Sequence, residues 1–137
     1  MNLHQLSAFA LAKPCVITAI TAASNNGTGV DARGYSRATL LFYSAPSGAG
    51  TTSDCKLQDS TDNSSFSDVT SGTFAQVTTA GGTKLQIMEV DLSKRQRYIR
   101  AVHTGAGGSA AGQAMVVVML HRGESMAPAQ DNTVVYV

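Results

Sequence analysis

The sequence predicts an all-β chain folded as a single-domain β-sandwich, or jelly-roll-like barrel, of about eight strands with extended N- and C-terminal arms. Short β-branched and apolar runs recur along it, Gly-, Ser- and Asn-rich turn chemistry separates them at short intervals, and no long segment keeps a helical period. A length of 137 residues with 43% hydrophobic content supports one core rather than two. The expected division is an arm over 1–13, a sandwich domain over 14–123 and a tail over 124–137.

The elements follow in order. Residues 15–21 are rich in Val, Ile and Thr and run into Ser24-Asn-Asn-Gly27, a turn signal because Asn and Gly tolerate positive φ. Residues 35–44 contain Leu40, Leu41, Phe42 and Tyr43, apolar on both parities, which predicts a mid-sheet strand covered on each side. Pro46 and the glycines after it predict a loop. Residues 52–59 alternate, with Cys55 and Leu57 on one face and Asp54, Lys56 and Gln58 on the other, the pattern of a half-buried strand. A polar turn over 59–65 then gives way to Phe66 and Val69, which return to the core.

The second half repeats this rhythm. After the turn at Ala80-Gly-Gly82, residues 83–92 form a strand whose apolar set changes parity between Leu85/Ile87 and Met88/Val90/Leu92, which predicts a bulge or a switch between sheets. Residues 97–104 alternate, and residues 105–112 read as a flexible hairpin connection. Residues 114–120 are the most hydrophobic run, predicted as the central strand buried on both faces. A loop over 124–132 leads to a short β-forming tail at 133–137.

Charge is sparse. Charged residues make up 14% of the chain, against roughly 25% in typical soluble domains, and ten basic residues face nine acidic ones. No broad basic field exists to hold a nucleic-acid backbone, so no nucleic-acid partner is expected. The densest basic cluster, Lys94, Arg95, Arg97 and Arg100, reads as a solvated turn and strand edge. Cys15 and Cys55 have no zinc spacing and read as free thiols in a reducing compartment, with Cys55 a small buried apolar side chain. Residues 6–12 are apolar, yet no positive region precedes them, so a signal peptide is not expected. No window reaches the roughly 18 apolar residues of a membrane span, so no membrane partner is expected.

Catalytic chemistry needs convergent groups, and the sequence names none. His4, His103 and His121 show no HxH or HExxH spacing, although a hairpin across 105–112 would bring His103 and His121 together. No GxSxG elbow places a nucleophile, and the Gly pairs lack the Lys and helix of a phosphate loop. Asp59, Asp62, Asn63 and Asp68 offer the oxygens of a calcium loop without its spacing or its closing Glu, and Asp and Asn fill turns for their own backbone bonds. The expectation is a non-enzyme without metal or cofactor.

The phrases Lys56-Leu-Gln-Asp-Ser-Thr-Asp-Asn-Ser-Ser-Phe-Ser-Asp-Val69, Val90-Asp-Leu92 and Arg97-Tyr-Ile-Arg100, over residues 36–121, resemble small capsid decoration, or cement, proteins of tailed bacteriophages. The resemblance implies a virion protein on the outer capsid surface, made in the bacterial cytoplasm, that bridges major capsid protein subunits as a homo-oligomer, with a trimer as the first expectation. It carries no catalytic residues. Similar wording occurs in carbohydrate-binding jelly rolls, but this chain has no Trp for a sugar platform. A glycan-binding module and a tail-tube or connector subunit are the alternatives. In the cement reading the arms supply contacts: Leu3, Leu6, Phe9 and Leu11 fill a neighbour's grooves, and Val134, Val135, Tyr136 and Val137 add a strand to its sheet. Arg95 and Arg97 join that partner surface. The alternative for both arms is that they complete this domain's own sheets.

Overall fold

Two heavy atoms on Cβ suit a pleated, half-buried surface, and the Val-, Ile- and Thr-rich runs become strands accordingly. The computed structural model describes residues 9–122 and 134–136, and within them the chain forms eleven strands. They are β1 (Phe9–Ala19), β2 (Ser24–Asn26), β3 (Val30–Asp31), β4 (Arg37–Ser47), β5 (Thr52–Ser60), β6 (Ser67–Thr73), β7 (Val77–Thr78), β8 (Lys84–Asp91), β9 (Tyr98–Ala106), β10 (Ala111–His121) and β11 (Val134–Tyr136). The only helical turns among the described residues are two 3-10 turns, Thr79–Gly81 and Leu92–Lys94, each capped by the side chain before it.

One sheet has the order β1-β10-β4-β8-β11 and the other β2-β9-β5-β6, with β3 also on β9 and β7 on β5. Every pairing is antiparallel except β11 on β8. Without the two-residue strands and β11, the eight remaining strands stand as β1-β10-β4-β8 over β2-β9-β5-β6. That is the order of a jelly roll, two interleaved Greek keys. The predicted all-β sandwich is therefore the observed fold.

The core is the layer between the sheets. Leu40 and Phe42 of β4, Val116 and Val118 of β10, and Met88 and Val90 of β8 meet Leu57 of β5 and Ile99 of β9, all without solvent exposure or nearly so. Phe42 lies 5.2 Å from the Phe74 ring in a tilted arrangement. In β1 the register slips between Pro14 and Val16, and this bulge turns both Cys15 and Val16 inward. Cys15 and Cys55 are free, buried thiols, and burial raises both above the usual thiol range.

Several local expectations are corrected. Residues 24–26 are strand rather than turn, because β9 needs an edge partner and Ser24 fixes it with a 2.9 Å hydroxyl contact to Thr104. Pro46 lies inside β4 opposite Gly112, whose positive φ and close approach to the Ala45 and Pro46 backbone leave no room for a Cβ. The pairing of β4 with β8 runs unbroken from Arg37↔Asp91 to Ser44↔Lys84, so β8 has no bulge there. Its core face carries Gln86, Met88 and Val90, while Leu85 points outward. Gln86 is accepted inside because its amide exchanges two hydrogen bonds with the Ala75 backbone, at 3.0 and 2.9 Å. Residues 105–112 are not a hairpin connection: β9 and β10 lie in different sheets, and the turn between them crosses the sandwich.

Truncating the largest fully buried side chain leaves a cavity in a layer with no spare packing. Phe42→Ala is expected to lower unfolding free energy by about 3–5 kcal/mol, measured as a shift in urea midpoint at unchanged slope.

Candidate protein-contact face

Side chains on successive strand positions point to opposite faces, so the outward half of the five-stranded sheet is set by the same register that fills the core. Ile17 pairs with Met115, Met115 with Tyr43, and Tyr43 with Leu85. These four residues are 71%, 37%, 36% and 47% exposed in that order, and they are all of the exposed large hydrophobics among the described residues. One row across four strands, spanning about 14 Å at ordinary strand spacing, gathers them all. The next row on the same face is Pro14, Val117, Leu41 and Ile87. Pro14 is exposed and the other three are half-buried. Neither row contains a charge.

The expectation that β4 and β10 are covered on both sides is corrected here. Both are mid-sheet strands, but among the described residues no helix packs over their outward face, and Met115 and Tyr43 are exposed there. An apolar row of this kind on a low-charge surface is a candidate for protein contact.

The face ends at a polar cluster. Glu89 is 3% exposed and accepts a 2.7 Å hydrogen bond from the Thr39 hydroxyl, which lies 2.9 Å from His121 Nε2. His121 Nε2 is 4.0 Å from the second Glu89 oxygen, which has no hydrogen-bond partner.

His103 lies elsewhere, buried between the sheets. Its Nε2 is 2.9 Å from the Ser53 hydroxyl, which accepts a 2.7 Å hydrogen bond from Ser44. The two histidines therefore stand in different sheets and do not form a pair. Burial pushes His103 below its ordinary range, Asp54 opposing the shift, so a neutral imidazole fills the site. The relay joins β4 to β5 and β9 across the core.

The acidic turn bonds mainly to its own backbone and neighbours. One Asp62 oxygen takes the backbone N–H groups of Ser64 and Ser65 and the Ser60 hydroxyl, each at 2.8 Å, and these bonds hold its pKa at about 2. Asp68 receives Lys56 and Gln58, and Asp59 receives the Gln96 amide. Among the described residues no three His, Cys, Asp or Glu side chains converge as metal ligands.

The arm residues divide. The backbones of Phe9 and Leu11 pair with His121 and Leu120 in this domain's own sheet, and Val134, Val135 and Tyr136 pair with β8. These segments complete the chain's own sheet, so the expected arm over 1–13 begins its strand at Phe9. Leu3, Leu6 and Val137 lie outside the described residues. Arg95 and Arg97 flank the start of β9. Arg97 grips Asp31 through two hydrogen bonds, 3.1 and 2.7 Å, and that contact, with the Arg33 amide, brings Asp31 to about 2. Sequence reasoning missed Ile17, Tyr43, Leu85 and Met115 as a surface. The available signal was apolar content on both parities in a sequence where no long segment keeps a helical period.

Neither a protein-family model nor a curated protein matches the sequence. Among solved structures, the PBSX exported protein XepA is similar at a TM-score of 0.57 and 20% identity. The match covers 90% of this chain and 41% of that one, so the chain spans about two fifths of its neighbour's length. The shared property is the fold. The SPBc2 prophage-derived protein YomS matches at a TM-score of 0.44 and 10% identity, over 81% of this chain and 95% of YomS.

The pH dependence of stability follows from His103. Its folded-state pKa is depressed, so the folded form favours the neutral ring and the unfolded chain takes up the proton first as pH falls below 6.5. Melting temperature is expected to drop as pH falls below that value, with a shallower drop in His103→Gln, read by calorimetry across the acid range.

Proposed function

We propose that this chain is a non-catalytic virion structural protein of a tailed phage, one that binds the outer surface of the assembled capsid and stabilises it by bridging major capsid protein subunits. The observation that supports it most is the uncharged double row on the outer sheet face, Ile17, Met115, Tyr43 and Leu85 beside Pro14, Val117, Leu41 and Ile87. The fold shared with the PBSX protein XepA is consistent with it, as is the resemblance of residues 36–121 to cement proteins. A stiff jelly roll that presents an apolar face needs no moving part to act. Each bound copy favours the assembled shell over dissociated subunits by mass action, and copies associated as a homo-oligomer add their contacts through a shared effective concentration.

The test is add-back to capsids that lack the protein. The wild type is expected to co-sediment with them and raise their disruption temperature. Ile17→Glu and Leu85→Glu each place a charge where a partner would have to bury it, and are expected to weaken binding by at least about tenfold. Both positions are open to solvent, so the melting temperature of the free protein should stay unchanged. Failure of the wild type to associate with any shell would overturn the reading.

A further inference from the structure

Beside the start of β9, at the opposite sheet from the apolar rows, a cavity of about 290 Å³ is lined by Ala32, Arg33, Leu92, Arg95, Gln96 and Arg97. Three arginines therefore line one space, large enough to take a side chain from another molecule. Two carboxylates stand against them. Asp31 is fully engaged, giving both oxygens to Arg97 and one of them also to the Arg33 backbone amide. Asp59 accepts the Gln96 amide at 3.2 Å and lies 3.7 Å from Arg95 Nη1, a charge pair too long for a hydrogen bond.

Arg95 is left in an unusual state. Its side chain is 20% exposed, yet it makes no hydrogen bond among the described residues, and its Nε is buried without a partner. A guanidinium carries five donors in a planar fork, and one this far from water costs free energy until an oxygen answers it. Arg33 is exposed, and its side chain likewise makes no hydrogen bond among the described residues. Three positive charges against two negative leave an excess of one, which matches a monoanion rather than a dianion. Leu92 and Ala32 add an apolar wall beside the charges, both nearly buried.

We propose that this cavity binds a carboxylate, as presented by an Asp or Glu side chain of a partner protein. Arg95 and Arg33 supply the donors, Arg97 with Asp31 forms a fixed wall, and Leu92 receives the methylene next to the carboxylate. Planar bidentate recognition of this kind is what arginine does better than lysine. The inference stands on the cavity alone and does not depend on whether the partner is a capsid.

Sodium acetate, titrated into the isolated protein at constant ionic strength, tests it by NMR. The Arg95 Nε–Hε signal and the Gln96 and Arg97 amides are expected to shift along a saturating curve. Arg95→Gln should weaken the apparent affinity about tenfold, the usual cost of a lost charge-assisted hydrogen bond. Arg33→Gln, an exposed substitution that leaves the fold intact, should weaken it severalfold. Shifts that rise linearly without saturating, or a saturation that neither variant changes, would overturn the site. Inorganic phosphate binding more tightly than acetate would overturn the assignment to a carboxylate.

Discussion

The two sheets share one layer of apolar side chains, and the rest of the described structure depends on it. Phe42, Leu40, Val116 and Val118 project from the middle of one sheet onto Leu57 and Ile99 of the other. Once those positions are committed inward, the two-residue period of a strand commits their neighbours outward. In a sandwich backed by helices those neighbours would be covered. Here the inward packing of β4 and β10 is what exposes Met115 and Tyr43, and the continuous register across β1, β10, β4 and β8 is what aligns them with Ile17 and Leu85.

Most of the strand framework was legible because alternation is a local property. Residues 52–59 alternate in sequence, and β5 alternates in burial almost residue for residue. Readings that needed a distant partner went astray. Ser24, Asn25 and Asn26 have turn chemistry, and only their pairing with Thr104, His103 and Val102 makes them a strand. In β8 the apolar Leu85 faces water and the polar Gln86 faces the core, a reversal permitted by two hydrogen bonds to Ala75 that no local pattern encodes. The apolar runs at 40–43 and 114–120 were read as strands with two covered faces, which holds for sheets flanked by helices. Where the described elements are strands alone, the same composition describes one face packed on the core and one turned outward.

The charged residues show the same division. That Arg95 and Arg97 sit in a turn before a strand was visible, but their partners Asp59 and Asp31 come from far earlier in the chain, and the different satisfaction of the two guanidiniums arises only when β3, β5 and β9 meet. Within the core, the Ser44–Ser53–His103 relay ties one sheet to the other through directional bonds. Apolar contacts tolerate sliding; a hydroxyl-to-imidazole contact does not. This relay fixes how far one sheet may shift over the other, and so holds the outer rows in one position.

The ladder between β1 and β10 joins Phe9 to His121, nearly the whole described length apart. Among the described residues β1 forms no other ladder, so its pairing waits for β10, the eighth strand of the jelly roll. Assembly is consequently a late, collective event rather than one that proceeds from the N-terminus, and such long-range closure is slow by nature. Until β10 is in place, the bulged backbone of β1 at Pro14 and Val16 lacks the ladder partners Val117 and Val116 that fix its register.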